Sequence, residues 1–306
     1  MSDTTQQVEQ RVIKHAPKNA PSKRTNEVIN KVIVNAIIIL LVLIWTIPTL
    51  GLLVSSFREP QAINTTGWWT AILNPIEQGF WTIDNYIFVL TQDGMGNAFL
   101  NSLLVTVPAT VIPITIAAFA AYGLAWLKFK GRRLLFILVV GLMVVPLQMS
   151  LLPLFVLYEQ IGIGGTYLGI WLAHTGFGLP LATYLLYGYI SSLPRDLIEA
   201  AEVDGATPMT KFIYLILPLS TPAIASFAIF QFLWVWNDLL VALVFLGTGR
   251  EVALVTTRLS EMVGSRGQDW YVLTSGAFLS MIMPLIVFFA LQRYFVRGMM
   301  AGSVKG

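Results

Sequence analysis

The chain has 306 residues, 56% hydrophobic and 11% charged, with a mean hydropathy of +0.72 and a formal net charge of +3. These values lie outside the range of soluble domains and describe a polytopic membrane protein. The absence of cysteine excludes disulfides, thiol chemistry and Cys-ligated metals, and the basic residues form no clustered face of the kind a nucleic-acid partner needs.

Residues 1–27 are polar, a composition that predicts a disordered tail. No small-residue cleavage pattern follows the first apolar run, so that run reads as an uncleaved span. A helix needs about 20 apolar residues to cross roughly 30 Å of hydrocarbon. Six stretches provide them, within 32–57, 94–127, 134–158, 160–194, 212–249 and 270–292. The expected fold is an all-α membrane protein with six transmembrane helices. Its divisions are a tail (1–27), a first transmembrane helix (28–57), an outer loop (58–93), a five-helix core (94–297) interrupted by the loop 193–217, and a final tail (298–306). Pro108, Pro113, Pro146, Pro153, Pro180, Pro222 and Pro284 fall in or near the ends of these runs. Neighbouring helices in a bundle can satisfy the freed carbonyls, so kinks are expected and not breaks.

Lys and Arg set the orientation. Fifteen of the 19 lie on the side of the two termini, leaving Arg58, Arg250, Arg258 and Arg266 on the other, which predicts that both termini are cytoplasmic. The loop 58–93 is then outside, and its Trp68, Trp69, Phe80 and Trp81 suit either the membrane interface or an extracytoplasmic partner. His174 has no ligating companions at metal spacing and reads as a structural histidine.

A charged island, residues 193–222, falls on the cytoplasmic side. Pro194 suits the first turn of a helix and Gly205 its left-handed end, predicting a helix from Arg195 to Asp204. Thr207-Pro208 starts a second helix. Leu197, Ile198 and Ala201 share a face, against Asp196, Glu199, Glu202 and Asp204. A connector lying on headgroups wants a basic polar face. This acidic one favours a protein partner. Further on, Gln231, Asn237 and Asp238 lie within an apolar run, where an acid must face the bundle interior or water. They are candidates for lining a pathway or for hydrogen-bonded packing between helices. Residues 248–269 mix both charges and read as a solvated loop.

The pattern Glu199-Ala200-Ala201, then Gly205, then Leu215-Ile216-Leu217-Pro218, with Asp204, Ala206, Phe212 and Pro222, resembles the EAA loop of importer-type ABC transporter permeases. Leu215 departs from the isoleucine more usual there. The C-terminal run Gln292-Arg293-Tyr294-Phe295-Val296-Arg297-Gly298 and the glycine-bearing end from Ala301 are similar to the tail of MalG-type permeases of carbohydrate-uptake systems. The stretch 55–69 looks like the α-glucoside branch. This resemblance implies a MetI-like permease core whose Glu199, Ala200, Ala201, Asp204, Gly205, Ala206, Leu217 and Pro218 couple to an ATPase subunit. It also implies a tail, Gly302, Ser303, Val304, Lys305 and Gly306, reaching between two ATPase subunits, and a 248–269 loop reaching into a binding protein.

The implied partners are a homologous membrane permease subunit, two ATPase subunits, an extracytoplasmic sugar-binding protein and membrane lipid, in a prokaryotic cytoplasmic (inner) membrane. The chain itself holds no catalytic or metal residues. It has no phosphate-binding G-x-x-x-x-G-K-[ST] motif, so ATP and Mg belong to the ATPase. The implied cargo is a sugar, an oligosaccharide or α-glucoside. Permeation of an amino acid, peptide or phosphate stays open. A secondary transporter is disfavoured by six unequal spans and a single membrane acid.

Overall fold

The computed structural model describes residues 23–264 and 269–303. Every regular element among them is helical, and one isolated antiparallel bridge joins Arg58 to Trp81. Helix α1 (Lys23–Ser56) begins inside the stretch assigned to the N-terminal tail, whose residues 1–22 lie outside the described residues. The chain divides into two compact units, Met1–Gly51 and Leu52–Gly306. The first unit holds most of α1, which is predominantly apolar around its whole circumference, as suits a membrane-crossing helix.

In the second unit the segment expected as an outer loop is folded. Helices α2 (Pro60–Thr65), α3 (Trp68–Leu73) and α4 (Asp84–Thr91) enclose a fully buried Arg58. Its guanidinium donates to Thr66 Oγ1 at 2.6 Å and to the carbonyls of Thr66 and Gln78 at 3.3 and 3.4 Å. Burial lowers its pKa below the ordinary arginine value.

Beyond it run α5 (Met95–Trp126), α6 (Arg132–Gly141) with a 3-10 turn (Leu142–Val144), α7 (Leu147–Gln160) and α8 (Tyr167–Ser191). Then come α9 (Arg195–Val203), α10 (Pro208–Lys211), α11 (Leu217–Trp236), α12 (Leu240–Phe245), α13 (Val255–Gly264) and α14 (Trp270–Ser303). Helix α5 packs most extensively against α8, and α11 packs against α5 and α14. Ala117, Ala118 and Ala121 of α5 meet Ala182, Leu186 and Ile190 of α8 in one buried cluster. Small side chains let two helix backbones approach closely, which is how helices associate where lipid removes the hydrophobic drive.

The expected count of six spans is not reproduced. Among the described residues four helices are long and apolar enough to cross a membrane, or five if the bent pair Arg132–Val144 and Leu147–Gln160 is one span. Helix α8, outside that set, has 25 residues, enough to cross, and carries no Asp, Glu, Lys or Arg. The bent pair turns by 104°, so Pro146 breaks the helix where a kink was expected. A residue before proline is driven out of helical geometry, and Val145 is extended at ψ 118°. The bend leaves a cavity of about 610 Å³ lined by Val144, Val145, Pro146, Gly176, Phe177 and Trp234, among others. Pro108, Pro113, Pro153, Pro180, Pro222 and Pro284 stay inside continuous helices.

The 212–249 run holds one candidate span, which the structure extends over Pro208–Trp236 through a π-helical turn (Phe212–Ile216), and a turn at Asn237 separates α11 from α12. Two further expectations change. The 248–269 segment is not an open loop. Ala253, Leu254 and Val255 are buried, and Asn101 of α5 donates to the carbonyls of Glu251 and Ala253 at 2.8 and 3.1 Å. Ser102 accepts from the Val255 amide at 2.9 Å. Val255, Leu259 and Met262, at helical spacing, place α13 against Met95, Val272 and Leu279. Buried Arg258 pairs with Asp93 at 3.0 Å and with Glu261. Helix α14 continues through Gly298 to Ser303, where a tail was expected, and Val304, Lys305 and Gly306 lie outside the described residues.

Candidate functional site

The island between α8 and α11 folds by local rules. Pro194 caps α9, which ends at Val203, one residue short of the predicted Asp204. Asp204 takes the C-cap, and Gly205 follows in the left-handed region at φ +75°. A side chain there is strained, while glycine turns the chain freely. The amides of Gly205 and Ala206 donate to the carbonyls of Glu202 and Ala201 at 3.0 and 2.9 Å, closing the last turn. Thr207 Oγ1 accepts from the Thr210 amide at 3.2 Å and Pro208 opens α10, as the residue types require.

The π turn that follows has a covalent cause. Pro218 brings no amide to the helical ladder, and the Leu217 amide reaches back five residues to the Phe212 carbonyl. Phe212 is stacked on Phe119 with centroids 4.3 Å apart and tilted against Tyr122. Leu217 is half-buried and Pro218 exposed at the head of α11.

The predicted apolar face of α9 divides. Ile198 is buried among Tyr122, Leu186, Phe212 and Ile216, Ala201 is half-buried, and Leu197 stands exposed. Glu199, Ala200, Asp204 and Gly205 are exposed, Ala206 half-buried, and Val203 is 88% exposed. Beside them lie exposed Met209, Ile213 and Tyr214. The surface offered to a partner is therefore mixed apolar and acidic. One acid of the predicted set is already engaged within the chain. Glu202 Oε1 accepts from Lys211 Nζ at 2.6 Å, across the elbow, and Lys211 is buried. This hydrogen bond, then the positive charges of Lys211 and Lys128, hold the Glu202 carboxyl below the usual carboxylate range. Sequence reading did not find the pair. The signal was a lysine alone in an apolar stretch.

The C-terminal end of α5 grips the island twice. Tyr122 donates through its hydroxyl to the Pro208 carbonyl at 3.0 Å, and Trp126 Nε1 to the Ile190 carbonyl at 3.0 Å. Ile190 lies near the end of α8, so these two side chains, one turn apart on α5, hold the island at its α8 root and at the head of α10.

The three polar residues singled out in the fifth run are separated. Gln231 is 3% exposed and donates to the Ala109 carbonyl at 3.1 Å, with its amide against Gly178 of α8. Asn237 is the exposed C-cap of α11 and donates to the Leu233 carbonyl at 2.8 Å. Asp238 accepts from the Ala242 amide at 3.1 Å, at the start of α12, where free amides favour a carboxylate. All three are engaged in helix packing or capping, and none lines the cavity at the bend. His174 is buried, edge-on to Trp234 with centroids 5.3 Å apart. Among the described residues no three His, Asp or Glu side chains converge as for a metal ion.

Residues 113–301 match the family described as binding-protein-dependent transport system inner membrane component. The osmoprotective compounds uptake permease protein GgtD of Synechocystis sp. is 64% identical, over 86% of this chain and 88% of its own length. The alpha-glucoside transport system permease protein AglG of Rhizobium meliloti is 46% identical, over 88% of this chain and 95% of its own. A crystal structure of a bacterial ABC transporter involved in the import of the acidic polysaccharide alginate shares the fold at a TM-score of 0.67. It is 21% identical, and the match covers 92% of this chain and 100% of that one.

Proposed function

Because the chain belongs to the family of binding-protein-dependent transport system inner membrane components, we propose that it is the permease subunit through which an ABC importer passes a sugar, an oligosaccharide or α-glucoside, into the cell. The observation that carries the reading is the exposed island bearing Glu199, Ala200 and Gly205, a knob at the junction of α8 and α11. In this reading it faces the cytoplasm, as do both termini, and docks in a separate ATPase subunit that holds ATP and Mg. Two ATPase subunits, a homologous permease and an extracytoplasmic sugar-binding protein complete the system, in the cytoplasmic membrane of a prokaryote. The tail from Gly302 reaches between the ATPases. The chain performs no bond chemistry of its own.

Closure of the ATPases on ATP would move the knob, and with it α8 and α11, exposing the pathway to alternate sides. Non-helical backbone at membrane depth is tolerated where it is covered by protein or lines water, and the break at Val145 and Pro146 suits such a pathway. The cargo is read from the relatives: one is named for osmoprotective compounds and the other for alpha-glucosides, and the second names the proposed sugar class.

The test is reconstitution of the four-part system in vesicles. ATP-dependent uptake of an α-glucoside that outcompetes amino acids, peptides and phosphate is expected. Uptake that persists without ATP, or preference for one of those other solutes, overturns the assignment.

A further inference from the structure

We infer that Glu202 and Lys211 are positioning residues for energy coupling, a strut that locks the elbow of the island and carries its displacement into α5. The inference rests on the reading of the island as the ATPase-docking element.

The two residues lie on opposite arms of the elbow, with Gly205 between them. A methyl at Gly205 would meet nothing within 4 Å, so no side chain packs on that face of the pivot. The short bonds around it close the end of α9 and leave the angle to the next helix free. Helix α9 has one buried side chain, Ile198, so a force on its exposed face would roll it about that point. The second arm is held firmly by Lys211, Phe212 and Ile216, all buried, and by the Tyr122 hydroxyl on the Pro208 carbonyl. The bond of 2.6 Å between Glu202 Oε1 and Lys211 Nζ ties the weakly held arm to the firmly held one.

An exposed ion pair adds little rigidity, and the Glu202 side chain is 59% exposed, but the lysine it satisfies is only 9% exposed. Removing its carboxylate strands a buried ammonium, so the arms are held together by the cost of parting them. With the strut in place, force on Glu199, Ala200 and Val203 passes to Pro208 and through Tyr122 to α5, as well as along the chain to α8 and α11.

The test uses the assembled complex in vesicles and reads glucoside moved per ATP hydrolysed, with subunit association followed by copurification. Glu202→Gln is expected to assemble and to lower that ratio by about fivefold or more, a coupling loss of ordinary size. Lys211→Arg, which keeps the cation, is expected to retain most of the ratio. If Glu202→Gln fails to assemble, the double variant with Lys211→Met removes the stranded charge while keeping the apolar stem. That double variant should assemble and remain uncoupled. A wild-type ratio in Glu202→Gln or in the double variant overturns the strut. Val203→Asp, on the exposed face, separates the two levels of the argument. If it disrupts association or coupling while Glu202→Gln does not, the strut alone falls. If it too changes nothing, the docking reading falls with it.

Discussion

Gly178 and Gln231 offer a sharp test of how the bundle is held. A methyl added at Gly178 would lie 2.7 Å from Gln231 Oε1 and 2.8 Å from Nε2, closer than real contacts allow. Gln231 would have to move, breaking its bond of 3.1 Å to the Ala109 carbonyl. Glycine to alanine inside a helix otherwise gains about 0.5–1 kcal/mol. Against that stand about 1–3 kcal/mol for overpacking and about 0.6–1.7 kcal/mol for an interhelical hydrogen bond in a membrane. Gly178→Ala should therefore destabilise the protein by roughly 1–4 kcal/mol. In a Gln231→Ala background the methyl has room, and the same change should stabilise by about 0.5–1 kcal/mol. A double-mutant cycle of unfolding in mixed micelles would then give a coupling of about 2–5 kcal/mol. Additive effects would refute the contact. Glucoside KM in the complex serves as a second readout, and a residue that ties three helices should leave it near the wild-type value.

Arg258→Gln leaves Asp93 and Glu261 without their cation beside a buried site and should cost roughly 3 kcal/mol, measured by the same unfolding assay. Gly205→Ala puts a side chain at φ +75° and should cost about 1–2 kcal/mol, with a matching fall in glucoside moved per ATP. For Glu202, the depressed carboxyl contributes stability above 4.5, its ordinary value, and that contribution is lost as pH falls through the lowered value. Coupling should thus be flat across neutral pH and decline only in acid, a limb that Glu202→Gln abolishes, as a pH series of uptake per ATP would reveal. Deleting Gly302 to Gly306 should lower ATPase activity in the assembled complex, and unchanged activity would remove the tail from the mechanism.

The island was legible because its shape is set by neighbours in sequence. Pro194, Gly205 and Thr207-Pro208 each impose a backbone state through their own covalent structure, and the helices start and stop there. The Glu202 to Lys211 pair was not, since it depends on the angle at which two helices meet. Gln231 shows the same limit: its partners sit on α5 and α8, and sequence left pathway and packing both open. The break at Pro146 was misread because proline is compatible with a kink or a stop, and the surroundings decide. Helix α13 did carry a signal in Val255, Leu259 and Met262. The charges of Arg258 and Glu261 masked it, although they bond to Asp93 and to each other.

The alanine stripe of α5 bears on how the chain is made. Ala117, Ala118 and Ala121 meet α8 in one buried cluster, and α5 leaves the ribosome first. The order of synthesis thus supplies the close-packing surface before the helix that lies on it.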